Sequence, residues 1–539
     1  MNDAQLAAPP EGGPELIAQA RQGRRGHPWW TLASVSVGLI MVGIDGTVVA
    51  IANPVIGRDL HTSLAQLQWV TNAYLLVLAV GLIFGGKLGD RYGRRAMFLT
   101  GVVGFALSSL AVGLVGGDIT GSIGGVIFFR ALQGAFGALL MPNTLAILRA
   151  TFPPEKLNMA VGIWGGASAV SVALGPIVGG LLVQDVSWES VFYINLPVAA
   201  IAVLIGVPVL RESRDERPER FDLPGVALLG VSLFLVVFGF IKAETWGWGS
   251  ARTVGFLAGG VVLLAAFALV ELRTRTPLLP MRLFANRSLS ISTVVVLVGF
   301  LALFGVLFFL TLYLENVHGF SAVQAGVRML PLSATMMLAA PLGGLLTQAL
   351  GPRATMPAGL ALIGAGLLWM TGVQAGSGYG TLWPPFLCIG VGIGFMITSS
   401  SEAIVGNAPV GDAGVAGGIQ STATQLGGVI GTAILGSVLT TQVGASLVGK
   451  LVGAGAPASV AHQLKAAGVA QLVGQGLAPT LPRAPARLQA AVTEGSRLAF
   501  MSGLHTALVV AALIAFVAAV LALSVRRGSG ASAGRAVVL

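Results

Sequence analysis

Long apolar runs recur along the chain, and short polar segments separate them. Each run has about the 20 residues that a helix needs to cross the hydrocarbon core of a bilayer. The apolar residues do not alternate with polar ones, as they do in the strands of an outer-membrane barrel. The pattern therefore predicts an all-α membrane protein with fourteen transmembrane helices, at about 30–52, 69–88, 97–117, 121–142, 158–183, 191–210, 224–242, 253–271, 289–314, 323–349, 354–373, 381–405, 413–440 and 501–525.

Composition agrees with a chain that faces lipid. Of the 539 residues, 55% are hydrophobic and only 10% are charged, whereas a soluble domain has about a quarter charged residues. The net charge of +10 is spread over short loops, so no nucleic-acid partner is expected. The single cysteine, Cys388, allows no intramolecular disulfide, and no His/Cys cluster has the spacing of a metal site.

The polar segments differ in positive charge. One alternating set of segments collects most of the basic residues, including Arg21, Arg91, Arg149, Arg211, Arg273, Arg353 and Arg526, whereas the short loops of the other set hold only Arg58, Lys242, Arg252 and Arg328. Cytoplasmic loops carry an excess of Lys and Arg, so both termini are predicted to be cytoplasmic, which agrees with an even number of spans. The run from 29 to 51 is too long for the apolar part of a cleaved signal, and it is interpreted as a retained span. The preference for Arg over Lys, with abundant Ala and Gly, favours the inner membrane of a bacterium.

Two charge-rich segments, RESRDERPERFD (211–222) and ELRTRTPLLPMRLFANRS (271–288), interrupt the series of spans. They divide the spans into groups of six, two and six. The predicted organisation is a cytoplasmic tail (1–28), a six-helix bundle (29–210), a linker with two extra transmembrane helices (211–288), a second six-helix bundle (289–525) with an extracellular loop at about 441–500, and a cytoplasmic tail (526–539).

The stretch GLIFGGKLGDRYGRR (81–95) resembles a phosphate-binding loop, because Gly81, Gly86 and Lys87 have the required spacing. Such a loop needs a preceding strand and a Ser or Thr that holds magnesium, but an apolar span precedes this one and Leu88 takes the hydroxyl position. GKLGDRYGRR also repeats, as GLLTQALGPR, at 344–353. Large transporters are often built from two related halves, so the repeat favours a transporter over a nucleotide site.

Several motifs, taken in order, make the chain similar to the major facilitator superfamily, and within it to the fourteen-span drug:proton antiporters of the EmrB/QacA type. They are GIDGTVVAIANP (43–54), WVTNAYLL (69–76), GKLGDRYGRR (86–95), RALQGAFGALLMP (130–142), GPIVGG (175–180), FYINLP (192–197), GFSAVQAGVRMLP (319–331) and GVAGGIQSTATQLGGVIGT (414–432). The resemblance implies the major facilitator fold, with two pseudo-symmetric six-helix halves. Ala50 and Glu315 depart from residues that are common in the family at these positions.

Asp45 and Arg130 are charged residues deep within predicted spans. At about 1.5 Å per residue, both lie at a similar depth, in the outer half of the membrane. Charges in hydrocarbon are costly, and they mark transport pathways or pair with each other. One hypothesis is that Asp45 takes up and releases a proton under the influence of Arg130. The alternative is an inert ion pair that fixes helix packing. Glu315 and Glu402, near span ends, are either second proton sites or carboxylates at headgroup level.

Two further motifs are assigned by the resemblance. It implies that the loop residues Gly86, Asp90, Arg91, Gly93, Arg94 and Arg95 form a latch that closes the two halves on the inside. The alternative is that the arginines only mark this loop as cytoplasmic and have no role in closing the halves. The resemblance also implies that Gly175, Pro176, Gly179 and Gly180 form the antiporter motif. The alternative is ordinary close packing of helices, which small residues also allow.

The predicted function is proton-coupled antiport. The chain is expected to export amphipathic, often cationic or aromatic, drugs or antibiotics by alternating access, as a monomer in the lipid bilayer. The proton gradient supplies the energy, without a cofactor. Gln133, Asn143, Trp164, Phe304 and Phe308 are candidates to line the substrate cavity, or else pack in the core or against lipid. A nutrient symporter and a membrane sensor without transport remain alternatives, whereas an enzyme is not expected, because no nucleophile–base pair is visible.

Overall fold

The structure is a computed structural model that describes residues 26–119, 121–214, 222–274, 277–408, 413–481 and 484–526. Most of the two predicted tails, 1–28 and 526–539, and residues 215–221 of the predicted linker lie outside the described residues. The described segments are helical, with turns and loops between the helices and no β-strand.

Fourteen long helices dominate the described segments. They are α1 Pro28–Asp59, α2 Leu64–Tyr92, α3 Arg94–Gly113, α4 Ile123–Thr151, α5 Pro154–Asp185, α6 Ser190–Val209 (interrupted at Ile194), α7 Leu223–Trp246, α8 Ala251–Arg273, α9 Arg287–Leu312, α10 Ala322–Leu350, α11 Pro352–Met370, α12 Trp383–Gly406, α13 Ala413–Gly453 and α14 Ala486–Ala522. A π-helical turn follows α3 at Leu114–Ile119, and another follows α9 at Tyr313–Val317.

Thirteen helices in the described part of the chain are long and apolar enough to cross a bilayer, so the chain is a multi-pass membrane protein. The remaining long helix, α5, has 32 residues, and its stretch Leu174–Asp185 is apolar. Thirteen of the fourteen predicted spans therefore correspond to helices of this kind, whereas the crossing of the membrane by α5 stays a prediction.

The two six-helix groups, α1–α6 and α9–α14, have the same internal packing. In the first group α4 packs on α2 and α3, and α1 packs on α5 and α6. In the second group the equivalent pairs, eight helices later, make the same contacts. Even the caps match, because Ser63 with Gln66 and Ser321 with Gln324 form capping boxes at the starts of α2 and α10. The fold is therefore a pair of pseudo-symmetric halves, and the inserted helices α7 and α8 pack on each other and, through α7, on α2 and α13.

The halves meet along two equivalent seams, α5 with α10 and α2 with α13. At the first seam the helices approach closely because both carry glycine. A Cβ atom on Gly180 would lie 2.7 Å from the Cα atom of Val323, and a Cβ on Gly326 would overlap the carbonyl oxygen of Pro176. Any larger residue at either glycine has to push the two halves apart.

Successive long helices run in alternate directions, which gives the bundle two ends. We name them the Pro28 side, where α1 begins, and the Asp59 side, where α1 ends. On the Asp59 side the halves are joined by hydrogen bonds through Gln475, whose side chain donates to the carbonyl of Thr62 and whose carbonyl accepts from Asn316. The structure thus shows the two halves held together at the Asp59 side.

The segment 441–500, predicted as an extracellular loop, is largely helical in its described residues. The α13 helix continues to Gly453, two short helices follow at Ala458–Ala466 and Ala470–Val473, and α14 begins at Ala486. The sequence prediction failed here because Ala- and Gly-rich segments with polar residues lie below a membrane-span threshold, although they pack well as helices. Gln475 in this segment contacts both halves.

Candidate proton and substrate site

The centre of the candidate site is a buried ion pair between α1 and α4. The Nη1 atom of Arg130 donates to Oδ2 of Asp45 at 2.6 Å, and both side chains are almost completely shielded from solvent. The two residues are 85 positions apart in the chain, so only the packing of α1 on α4 brings them together. Their predicted similarity in depth agrees with this contact.

Amide side chains complete the hydrogen bonding of the carboxylate. Oδ1 of Asp45 accepts from Gln133 at 2.8 Å and from Asn195 at 3.0 Å. Asn195 also donates to Ser109, whose hydroxyl donates to the carbonyl of Phe192. The carboxylate therefore has three donors, as a charge buried at low dielectric requires.

Asn195 and Ser109 were not among the predicted site residues. Asn195 belongs to the FYINLP stretch and is a polar residue at the start of an apolar run, which was the available signal. Ser109 had none, since serine is common in membrane helices. Gln133, predicted to line the substrate cavity, instead belongs to the hydrogen-bonding network around Asp45.

Arg130 has a second face, towards a cavity between the two halves. Its guanidinium carbon lies 4.2 Å from the centre of the Tyr74 ring, a cation–π contact, and its Nε donates to the carbonyl of Val70. The empty space between its lining atoms, part of which is open solvent, is about 390 Å3. Its described lining comes from α1, α2, α4 and α9, as Gly46, Thr47, Val49, Ala50, Asn53, Thr71, Tyr74, Leu75, Arg130, Phe304, Leu307 and Phe308.

The predicted cavity residues divide into two groups. Phe304 and Phe308 line the cavity from the second half. Asn143 does not line it: it donates to the carbonyl of Gly85 and ties α4 to α2. Trp164 does not line it either, since its indole nitrogen donates to Thr144. The face of the helix on which each residue lies decides whether it lines the cavity. A long apolar run does not show which face points to the cavity.

The two other predicted acids lie at opposite ends of the bundle. Glu315 is in the π-helical turn after α9, on the Asp59 side. Its side chain is 1% exposed, and Oε2 lies 3.5 Å from Arg58 at the end of α1. The contact is an ion pair between the halves. Glu402 is half-buried near the end of α12, towards the Pro28 side. The structure does not bring either acid to Asp45.

Comparison with known proteins identifies the family. The profile of the Major Facilitator Superfamily matches residues 35–432, which include the ion pair and the cavity. The chain belongs to the Major Facilitator Superfamily. Among solved structures, a bacterial homologue of the human lysosomal transporter Spinster is similar in fold, with a TM-score of 0.63 at 17% identity, over 93% of this chain and 99% of that one.

Among curated members of the superfamily, two from Streptomyces are similar over most of their length. The tetracenomycin C resistance and export protein of Streptomyces glaucescens is 46% identical over 94% of this chain and 93% of its own. The puromycin resistance protein pur8 of Streptomyces alboniger is 37% identical over 79% of this chain and 85% of its own.

The predicted latch of this facilitator fold lies on the Pro28 side. Asp90 is paired with Arg94 at 2.8 Å, across the short turn between α2 and α3 and within the first half. Gly93 in that turn has φ +115, a conformation that favours glycine. Its neighbour Glu212 accepts hydrogen bonds from the backbone of Arg95 and Ala96, at the start of α3. Gly86 faces Pro142 of α4, and Arg91 lies by the Tyr92 ring.

Lys87 connects the same loop to the inserted helices. Its Nζ donates to the carbonyl of Pro277 at 2.9 Å, and Glu271 at the end of α8 accepts from the backbone of Leu279. Asp222, which caps α7, also faces this segment. The lysine that resembled a phosphate-loop residue thus holds the chain between α8 and α9 against α2.

The predicted antiporter motif of the superfamily lies between α1 and α10. A Cβ atom on Gly175 would overlap the Thr47 side chain, and one on Gly179 would press on Val48, so these glycines face α1. Gly180 and Pro176 face α10 instead. The motif therefore packs one helix against its own half and against the other half at once.

Proposed function

We propose that this facilitator exports an amphipathic drug or antibiotic in exchange for protons, as a monomer in the cytoplasmic membrane of a bacterium. The names of its curated relatives, which describe antibiotic resistance and export, support the proposal. The observation that carries it is the contact of Arg130 with both Asp45 and the cavity wall. One side chain thereby links the group that can hold a proton to the space that can hold a substrate.

The arrangement suggests how proton and substrate compete. While Asp45 is ionised, it holds Arg130 at 2.6 Å, and Gln133 and the carbonyl of Val70 fix the same guanidinium. A substrate in the cavity meets a donor of fixed orientation. A proton on Asp45 removes the charge that holds Arg130 and leaves only neutral acceptors, so the guanidinium is held less tightly and becomes a weaker partner for the substrate. Each ligand therefore weakens the other, as exchange requires.

Alternating access then depends on the two seams between the halves. With the Pro28 side in the cytoplasm, the contacts of Glu315 with Arg58 and of Gln475 with the carbonyl of Thr62 close the outer side. Outward opening separates these contacts and closes the inner side, where we assign the predicted latch at Asp90. Each proton that enters releases about 2.3 kcal/mol per 100 mV of membrane potential, and no cofactor is needed.

The proposal is tested in proteoliposomes loaded with a pH-sensitive dye. Asp45→Asn should abolish substrate-driven proton movement but leave substrate binding measurable, because asparagine keeps the shape of the site. Asp185→Asn, an exposed acid at the end of α5, is the matched control and should behave as the wild type. Undiminished proton-linked export by Asp45→Asn contradicts the proposal. Protons that move in the same direction as the substrate indicate a symporter.

A further inference from the structure

The cavity holds polar side chains that have no hydrogen-bond partner among the described residues. Asn53 of α1 is fully buried, and neither its amide nitrogen nor its amide oxygen is paired. The hydroxyl groups of Thr71 and Tyr74, on the facing helix α2, are also buried and unpaired. Buried polar groups are normally satisfied, so these atoms point to a ligand that supplies both donors and acceptors.

The cavity is electrically balanced. Among the described residues that line it, the one charged side chain is Arg130, and Asp45 neutralises that charge from behind at 2.6 Å. A permanently charged ligand finds no further counterion in the described lining. Because an unpaired charge is costly in an apolar environment, the site disfavours cations and anions alike.

The remaining walls are apolar and partly aromatic. Phe304 and Phe308 project from α9, with Leu307 between them, and Leu75 lies on the side of the first half. The ring of Phe304 also packs with that of Phe300 at 6.0 Å between centroids. Flat aromatic surfaces bind well against such walls.

We propose that the substrate is an uncharged, oxygen-rich polycyclic aromatic compound, and that Asn53 is the residue that selects it. The inference rests on the proposed function and narrows its substrate. It differs from the expectation of often cationic substrates, which took no account of the lining. The carbonyl and hydroxyl groups of such a compound pair with Asn53, Thr71, Tyr74 and Arg130, while its rings lie against the phenylalanines.

Binding is measured by equilibrium dialysis of the purified full chain with two planar probes of similar size. The probes are 1,8-dihydroxyanthraquinone, which is uncharged, and ethidium, which is a cation. The wild type should bind the anthraquinone at least tenfold more tightly. Asn53→Leu, similar in volume, should weaken anthraquinone binding about tenfold, because hydrogen bonds to a buried amide are lost. Asn53→Asp should tighten ethidium binding about tenfold, since it adds a counterion.

Equal affinity of the wild type for both probes, or binding of neither, overturns the inference. Unchanged anthraquinone binding by a folded Asn53→Leu also overturns it. If that variant does not fold, the wild-type comparison and Asn53→Asp decide. Failure of the proposed function gives a different result: no probe then drives proton movement in proteoliposomes. If ethidium is bound best and is exchanged for protons, export stands and only the substrate class is wrong.

Discussion

Removal of Arg130 tests the physical basis of the site most directly. Arg130→Met leaves the fully buried Asp45 with only two amide donors, from Gln133 and Asn195. Breaking one partner of a buried ion pair costs about 3–5 kcal/mol, whereas replacement of both partners by neutral groups is often nearly neutral. We therefore expect Arg130→Met to lose about 3–5 kcal/mol of unfolding free energy and the double variant with Asp45→Asn to recover most of it.

The assay is a double-mutant cycle, with unfolding in mixed micelles followed by tryptophan fluorescence. Arg149→Met, the same substitution at an exposed arginine near the end of α4, serves as the control and should change stability by less than about 0.5 kcal/mol. A double variant no more stable than Arg130→Met would refute the reasoning. So would a loss below about 1 kcal/mol in Arg130→Met, because it would mean that water reaches the carboxylate.

Three further predictions concern packing, gating and pH. Gly85→Ala places a methyl group against a backbone carbonyl of α4 and should lower stability by about 1–3 kcal/mol in thermal melts, whereas Gly255→Ala on α8, with open space around it, should not. Glu315→Gln removes an ion pair whose arginine is 50% exposed, so the closed form should lose at most about 1 kcal/mol of stability relative to the open form. A cysteine placed on the Asp59 side should then react up to fivefold faster with an impermeant thiol reagent. Unaltered labelling argues against a gating contact. Burial, and then two nearby arginines, lower the pKa of His318, so the folded protein resists protonation of this residue. The contribution of His318 to the unfolding free energy is therefore full above the unfolded pKa of about 6.5 and is lost as the pH falls below it. His318→Gln should lose less stability than the wild type between pH 7.5 and pH 5.5.

The sequence predicted the helices better than it predicted their partners. Long apolar runs are a local property, so most spans, the extra pair α7 and α8, and the two related halves followed from them. The ends were less accurate: α1 extends to Asp59 instead of residue 52 because Pro54 is accommodated within the helix. The helix start at Ala486 was missed for another reason, since its first turns are polar enough to resemble a loop.

The site was only partly visible in the sequence. The charges of Asp45 and Arg130 stood out because ionised groups are rare in lipid, and they pointed to the same depth. The cavity did not stand out in the sequence. Phe304 lines it and Asn143 does not, because the rotation of each helix about its axis decides which side chains face the cavity. Asn53, whose amide is unpaired beside the cavity, lies in the stretch GIDGTVVAIANP, which indicated the family but not the role of this residue.

The amino-acid sequence by itself determined that this chain lies in a membrane, where most of its spans begin and end to within several residues, and which charged residues are buried in them. It did so because the cost of exposing polar groups to lipid acts on each residue separately. Only the tertiary structure decided that Asn195 completes the shell of Asp45, that Lys87 holds the segment before α9, and that Glu315 meets Arg58. Those contacts join residues up to hundreds of positions apart, and they depend on helix rotation and close approach, which no local pattern encodes.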